Sequence, residues 1–242
     1  MNLIIDVGNT RIKLAVFNEG QLLYKFVCDK ADFANTLISI RNRYPAITHC
    51  ILATVGEFSE DNTSLLHEHF TVVKLDHNTK VPFNNDYGTA ITLGVDRIAL
   101  VSAAAIEFPD KDVLVIDAGS CITYDFITAD KLYLGGAISP GIQMRYKAVH
   151  TFTANLPLLE PKLPIIQTGN STESSIHSGI LQAVVFEIEG FVKMYEKKYP
   201  DLTVILTGGD AHFLRDSLKS DIFANSNFLL EGLNFILEHN KH

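Results

Sequence analysis

Leu3-Ile4-Ile5-Asp6-Val7-Gly8-Asn9-Thr10 recurs 111 positions later as Leu114-Val115-Ile116-Asp117-Ala118-Gly119-Ser120-Cys121. A repeat at that distance in a chain of 242 residues reads as a duplicated unit. In each copy a short apolar run ends in Asp-x-Gly-polar, and a second β-type run follows, Ile12 to Phe17 and Ile122 to Ile127. Each copy therefore predicts a buried strand, a tight turn and a returning strand. A third strand follows a turn signal in both: Asn18-Glu19-Gly20 precedes Gln21 to Val27, and Ala129-Asp130 precedes Lys131 to Leu134.

Outward from these meanders the periodicity changes. Phe33, Leu37 and Ile40 fall on one stripe and predict a helix over Asp32 to Arg43; a strand Cys50 to Thr54 and a helix Glu60 to His69 follow. Asp96 to Phe108 reads as a helix linking the halves, with Pro109 ending it, so the boundary falls near Asp110 and divides the chain into 1–110 and 111–242. The second half predicts a long helix from about Thr172 to Tyr199, a strand Thr203 to Leu206 running into Gly208-Gly209-Asp210, and a last amphipathic helix Asn227 to His239. Tyr133, Phe152 and Phe191 are expected in the core.

Composition narrows the function. Apolar residues make up 47% and charged residues 20%, which is globular rather than disordered. A net charge of −8 without a Lys/Arg cluster argues against a nucleic-acid partner, whose phosphates need a basic footprint. A nucleotide remains admissible, because backbone N–H groups and a divalent cation make one pocket favourable whatever the total charge. Cys28, Cys50 and Cys121 show no paired spacing and the nine histidines no ligand spacing, so neither a disulfide framework nor zinc is predicted. Asp6 and Arg11 interrupt the first apolar run and no run reaches the roughly 18 residues of a membrane span, so a cytoplasmic location is expected.

Asp6-Val7-Gly8-Asn9-Thr10-Arg11-Ile12-Lys13 has the makings of a phosphate loop. Gly8 lets backbone N–H groups approach an anion, Asn9 and Thr10 add short polar side chains, Arg11 or Lys13 offsets charge, and Asp6 is placed to hold Mg²⁺. An ordinary hairpin with Asp as turn-former would read the same way. With Asp117, Gly119 and Ser120 repeating the device, two hairpins can clamp a nucleotide's phosphates from both sides. Gly208 and Gly209 suit the close approach of a base or ribose, although Asp210 as a helix N-cap explains that turn equally well.

Two phosphate hairpins followed by strand-Gly-Gly-Asp resemble the superfamily of actin, sugar kinases and acetate kinase. The resemblance implies an α/β fold of two duplicated actin-like, ribonuclease H-like lobes, with mixed sheets flanked by helices and an ATP cleft between them. DVGNTRIK at Asp6, GVDR at Gly94 to Arg97, DAGSCIT at Asp117 and GGAISPGI at Gly135 to Ile142 further resemble the type III pantothenate kinases. That likeness implies transfer of the ATP γ-phosphate to the 4′-hydroxyl of pantothenate. It implies Asp96 as base, Arg97 gripping the pantothenate carboxylate, and Tyr87, Gly94, Val95 and Thr172 lining the substrate. It also implies a monovalent cation, K⁺ or NH₄⁺, at Asp117 beside the Mg²⁺ at Asp6. A homodimer sharing its substrate sites is implied too, with Ile176, Ile180, Val184 and Ile188 on the interface helix, although a helix of the chain's own core reads the same way.

Without the resemblance, Asp96 is a helix N-terminal aspartate, Arg97 a surface salt-bridge former, Tyr87 a packing residue and Thr172 a helix N-cap. Another small-molecule kinase of the superfamily and a non-catalytic regulatory homologue are the rival functions. GVDR speaks against the first, and the acidic balance with Asp6, Asp96 and Asp117 in place against the second.

Overall fold

A computed structural model describes residues 1–9, 11–163 and 167–241. Thr10, expected to bind phosphate, lies outside the described residues. The chain forms two units, Met1–Pro109 with Lys131–Tyr133 and Asn227–His242, and Asp110–Asp130 with Leu134–Ser226.

In the first unit, β1 (Asn2–Val7), β2 (Ile12–Asn18), β3 (Gln21–Cys28), β4 (His49–Thr54) and β5 (Thr71–Lys74) form a sheet of order β3-β2-β1-β4-β5. β1, β2 and β3 run antiparallel as a meander, whereas β4 lies parallel to β1 and β5 parallel to β4. α1 (Phe33–Arg43) and α2 (Glu60–His69) cover one face, where Leu3, Ile5, Val7, Leu14 and Val16 meet Phe33, Leu37, Ile40 and Leu66. Ile4, Ala15 and Ile51 are fully buried on the other face. β1 is covered on both sides, and this is why it reads as a continuous apolar run instead of an alternating one. Beyond β5, a two-residue strand β6 (Asn84–Asn85) pairs with Leu132 and Tyr133, and α3 (Val95–Glu107) follows.

The second unit repeats the plan. β7 (Val113–Ala118), β8 (Cys121–Ile127), β9 (Leu132–Pro140), β10 (Thr203–Thr207) and β11 (Phe223–Ala224) take the order β11-β10-β7-β8-β9. β7 is antiparallel to β8 and parallel to β10, as β1 is to β2 and β4. Asp6 and Asp117 are each the second-last residue of the equivalent strand. α4 (Ile142–Thr151), α5 (Thr172–His177), α6 (Ala183–Glu196) and the short α7 (Ala211–Leu214) complete the unit.

The predicted long helix from Thr172 differs in detail. A π-helical stretch, Ser178–Gln182, separates α5 from α6, and Ser171 rather than Thr172 is the N-cap, in a capping box with Ser174. Ile176, Ile180, Val184 and Ile188, expected at a subunit interface, are buried within this unit's own core. Phe152 is not in the core: it caps the C-terminus of α4 at 85% exposure, while Tyr133 is fully buried and Phe191 packs at the core edge.

The C-terminal helix α8 (Phe228–His239) belongs with the first unit, not with 111–242 as the linear boundary implies. Its apolar stripe Phe228, Leu230, Leu233, Ile236 and Leu237 needs a partner, and α3 supplies one. A Cβ on Gly232 would overlap the Ala99 carbonyl, so the two helices touch backbone to backbone. A polar link ties α8 to β1 as well: Asn2 Nδ2 donates to Asn234 Oδ1 at 2.7 Å and to Glu238 Oε1 at 2.6 Å. Among the described residues no helix is long and apolar enough to cross a membrane.

Candidate active site

The first hairpin places charge by strand register. Asp6 pairs directly across the ladder with Lys13, whose Nζ lies 3.4 Å from Asp6 Oδ2. Asp6 is only 6% exposed. Burial pushes its carboxyl above the usual carboxylate range; Lys13 opposes that shift and the charge of Asp96 adds to it.

Of the run from Asp6 to Lys13, Val7 and Ile12 are buried in the core and offer a ligand only their backbone. Arg11 extends to Asp29, 3.6 Å from Nε, with both side chains exposed. Two neighbours of this hairpin escaped the sequence reading. Val55 N and Gly56 N donate to Val7 O at 3.1 and 3.3 Å, and a Cβ on Gly56 would crowd the Gly8 carbonyl. Lys30 Nζ lies 3.0 Å from that same Cβ position, a second cation at the turn. Neither carries a local signal, because long-range strand pairing brings them there.

Gly94-Val95-Asp96-Arg97 opens α3. Gly94 is the N-cap, and a Cβ on it would fall on Asp96 Oδ1. The missing side chain is what lets the Asp96 carboxylate fold back and accept from Arg97 N at 2.8 Å. Arg97 is 5% exposed and so is no surface salt-bridge former. Its guanidinium carbon stands 5.3 Å from the Tyr87 ring centroid, and Nη1 lies 3.5 Å from the Tyr87 hydroxyl. Tyr87 in turn stacks on Tyr133 at 5.9 Å. Asp6 and Lys13 are thus one charged pair, and Arg97 and Tyr87 one stacked pair beside the Asp96 carboxylate, all in the first unit.

In the second unit three glycine segments meet at the hairpin after β7. Gly208 has φ +96°, and a Cβ there would strike the Ala118 carbonyl and Asp117 Oδ1. Gly208 therefore makes room for protein rather than for a base, whereas Gly209 faces open space. Asp210 N donates to Ala118 O at 2.9 Å, and its carboxyl makes no cap bond. Gly141 N donates to Ser120 O at 3.2 Å, and Gly119 N closes the hairpin on Cys121 O at 2.9 Å. Ser120 is exposed. Thr172 sits exposed at the first turn of α5 on a cavity of about 620 Å³, walled by Val149, Leu156, Ile176 and Ile180. Behind it the buried Tyr146 hydroxyl and His177 Nδ1 share a 2.7 Å hydrogen bond that ties α5 to α4.

No group of three or more His, Cys, Asp or Glu able to hold a metal occurs among the described residues. Mg²⁺ needs no such group, since it takes one or two carboxylates and fills its shell with phosphate and water. Asp6 is buried with its charge disfavoured, so an adjacent cation would favour its ionised form.

A sequence model of the type III pantothenate kinases matches residues 2–194. A type III pantothenate kinase from Christiangramia forsetii is 53% identical over 241 residues, covering 100% of this chain and 99% of its own length. One from Flavobacterium johnsoniae is 45% identical, with 96% of each chain covered. Among solved structures, a Baf-family protein from Campylobacter jejuni superposes with a TM-score of 0.63 at 21% identity, covering 98% of both chains. Component A of (R)-2-hydroxyglutaryl-CoA dehydratase from Acidaminococcus fermentans gives 0.52 at 13%, covering 98% of this chain and 96% of its own. At those identities the two structures speak for the fold alone.

Proposed function

This chain belongs to the type III pantothenate kinase family and phosphorylates pantothenate with ATP and a divalent metal, and on that footing we propose which of its residues carry the reaction. Asp96 accepts the proton of the 4′-hydroxyl as that oxygen attacks the γ-phosphorus and ADP leaves. Phosphoryl transfer has a loose transition state, so this carboxylate has mainly to orient the alcohol and take its proton late. Arg97 holds the pantothenate carboxylate in a bidentate grip, with Tyr87, Gly94, Val95 and Thr172 lining the substrate.

Asp6 holds Mg²⁺, and the backbone from Val7 to Ile12 with Asn9, Thr10, Arg11 and Lys13 binds phosphate. Gly119, Ser120 and Gly209 are assigned to the nucleotide, with Gly208 contributing only through its backbone, and Asp117 holds K⁺ or NH₄⁺. When bound, the two cations neutralise phosphate charge. The observation that carries this reading is the Asp96 carboxylate, folded over Gly94 and held on the Arg97 amide, within reach of Asp6's charge.

The protein acts in the cytoplasm as a homodimer. With the inner apolar positions of α6 buried, the face left for a partner is Phe186, Gly190 and Met194, four residues apart, with Phe186 67% exposed. A monomer mass by light scattering would remove the dimer. For catalysis, ATP, pantothenate, Mg²⁺ and K⁺ are supplied and ADP release is followed. Asp96→Asn should keep the thermal midpoint and ATP binding but lose about 10²- to 10⁴-fold in kcat; near-normal turnover would take Asp96 out of this role.

A further inference from the structure

Behind the second hairpin lies a polar cluster that none of these roles uses. Glu187 on α6 accepts through Oε1 from the Tyr124 hydroxyl of β8 at 2.9 Å and the Ser139 hydroxyl of β9 at 2.5 Å. Through Oε2 it accepts from Arg145 Nη2 of α4 at 2.6 Å. The same guanidinium donates from Nε to the Pro140 carbonyl at 2.8 Å and from Nη2 to Ser139 Oγ at 3.3 Å. One planar fork therefore spans a carboxylate on α6 and a hydroxyl and a backbone carbonyl on β9.

The segment so gripped is the one that touches the hairpin. Pro140 leads into Gly141, whose amide donates to Ser120 O at 3.2 Å. A Cβ on Gly141 would overlap the carbonyls of both Gly119 and Ser120, so the two backbones lie in direct contact. Arg145 and Glu187 are only 17% and 22% exposed, so water screens the pair far less than a surface ion pair. Burial favours the neutral form of Glu187, but the bonds from Ser139, Arg145 and Tyr124 outweigh it and hold the carboxyl below its usual range.

We infer that Arg145 and Glu187 are positioning residues for the nucleotide: they press Ser139-Pro140-Gly141 onto the second hairpin and so set the direction of the Ser120 hydroxyl and of the Gly119-Ser120 backbone. This rests on the phosphate-binding role proposed for Ser120. A pair that served stability alone would lower the melting midpoint without distinguishing one substrate from the other.

Arg145→Lys tests it without removing the charge. A lysine ammonium can still meet Glu187, but one point donor cannot also hold the Pro140 carbonyl and Ser139. The KM for ATP should rise about 10-fold, the low end for residues that orient a site from behind, with the KM for pantothenate within about twofold and the midpoint nearly unchanged. Glu187→Gln, isosteric and able to fold, should move the same constant in the same direction. Equal shifts in both KM values, or a change in the midpoint alone, overturn the inference. Ser120→Ala, measured alongside, separates it from the reading beneath it. If Ser120→Ala raises the KM for ATP and Arg145→Lys does not, positioning fails and the role of Ser120 stands. If only Arg145→Lys raises it, Ser120's hydroxyl is dispensable and the cluster acts through the hairpin backbone. If neither does, both fail.

Discussion

Gly94→Ala gives the sharpest test of how the proposed base is held. The backbone at Gly94 has φ −59° and ψ 135°, which alanine adopts freely, so the substitution introduces no backbone strain. Its methyl carbon, however, would stand 2.4 Å from Asp96 Oδ1, too close for a real contact. The carboxylate must swing away by about 1 Å and give up its bond to Arg97 N. A displacement on the order of 1 Å at a reacting group costs roughly 10²-fold, or about 2.7 kcal/mol of transition-state stabilisation. Steady-state kinetics should show kcat down about 100-fold and the KM for ATP little changed. The thermal midpoint should stay near the parent's, because a helix cap exchanged from Gly to Ala costs at most about 1 kcal/mol. A kcat within about threefold of the parent, with the fold intact, would refute the idea that Gly94 is there to seat Asp96.

Gly208→Ala combines a positive φ with collision against Ala118 and Asp117, so it should destabilise by about 1 to 3 kcal/mol, read as a lower melting midpoint; an unchanged midpoint would contradict that packing. Glu107 is pushed up to about 7 by burial and by its neighbour Glu231, from an ordinary 4.5. The folded protein thus holds a proton that the unfolded chain releases, so this site's contribution to stability is present below about pH 4.5 and lost as pH rises through about 7. Glu107→Gln should raise the midpoint at pH 8 by an amount equivalent to about 1 kcal/mol, allowing for solvent screening, and do little at pH 5; equal effects at both pH values would rule out the carboxylate repulsion. Leu233→Ala should cost about 2 to 5 kcal/mol through loss of the α8 contact, and a midpoint unchanged in thermal melts would mean that the helix docks elsewhere.

Much of the architecture was legible because it depends on short-range pattern. The two Asp-x-Gly hairpins are local turns between apolar runs, and a duplicated turn can be recognised wherever it lies in space. The helix opened by GVDR was legible too, since Gly94, Asp96 and Arg97 act within one turn of each other. Where the sequence misled, the cause was a face rather than an element. Ile176, Ile180, Val184 and Ile188 mark an apolar stripe, but periodicity does not say whether it meets the chain's own core or a second subunit; here it meets the core. Phe152 is apolar and yet exposed because α4 has already ended when the chain reaches it.

By itself, the sequence determined the repeat, the meanders and the local contacts within a few residues of Asp6, Asp96 and Asp117, because those contacts follow from strand alternation, helix periodicity and tight-turn geometry. Tertiary structure alone decided that α8 closes the first unit, that Lys30 and Gly56 stand beside Gly8, and that Arg145 and Glu187 brace the second hairpin. The physical reason is that such partners are selected by packing between segments distant in the chain. Their energy comes from buried area and from satisfied polar groups, and neither leaves a period or a spacing in the residues that supply it.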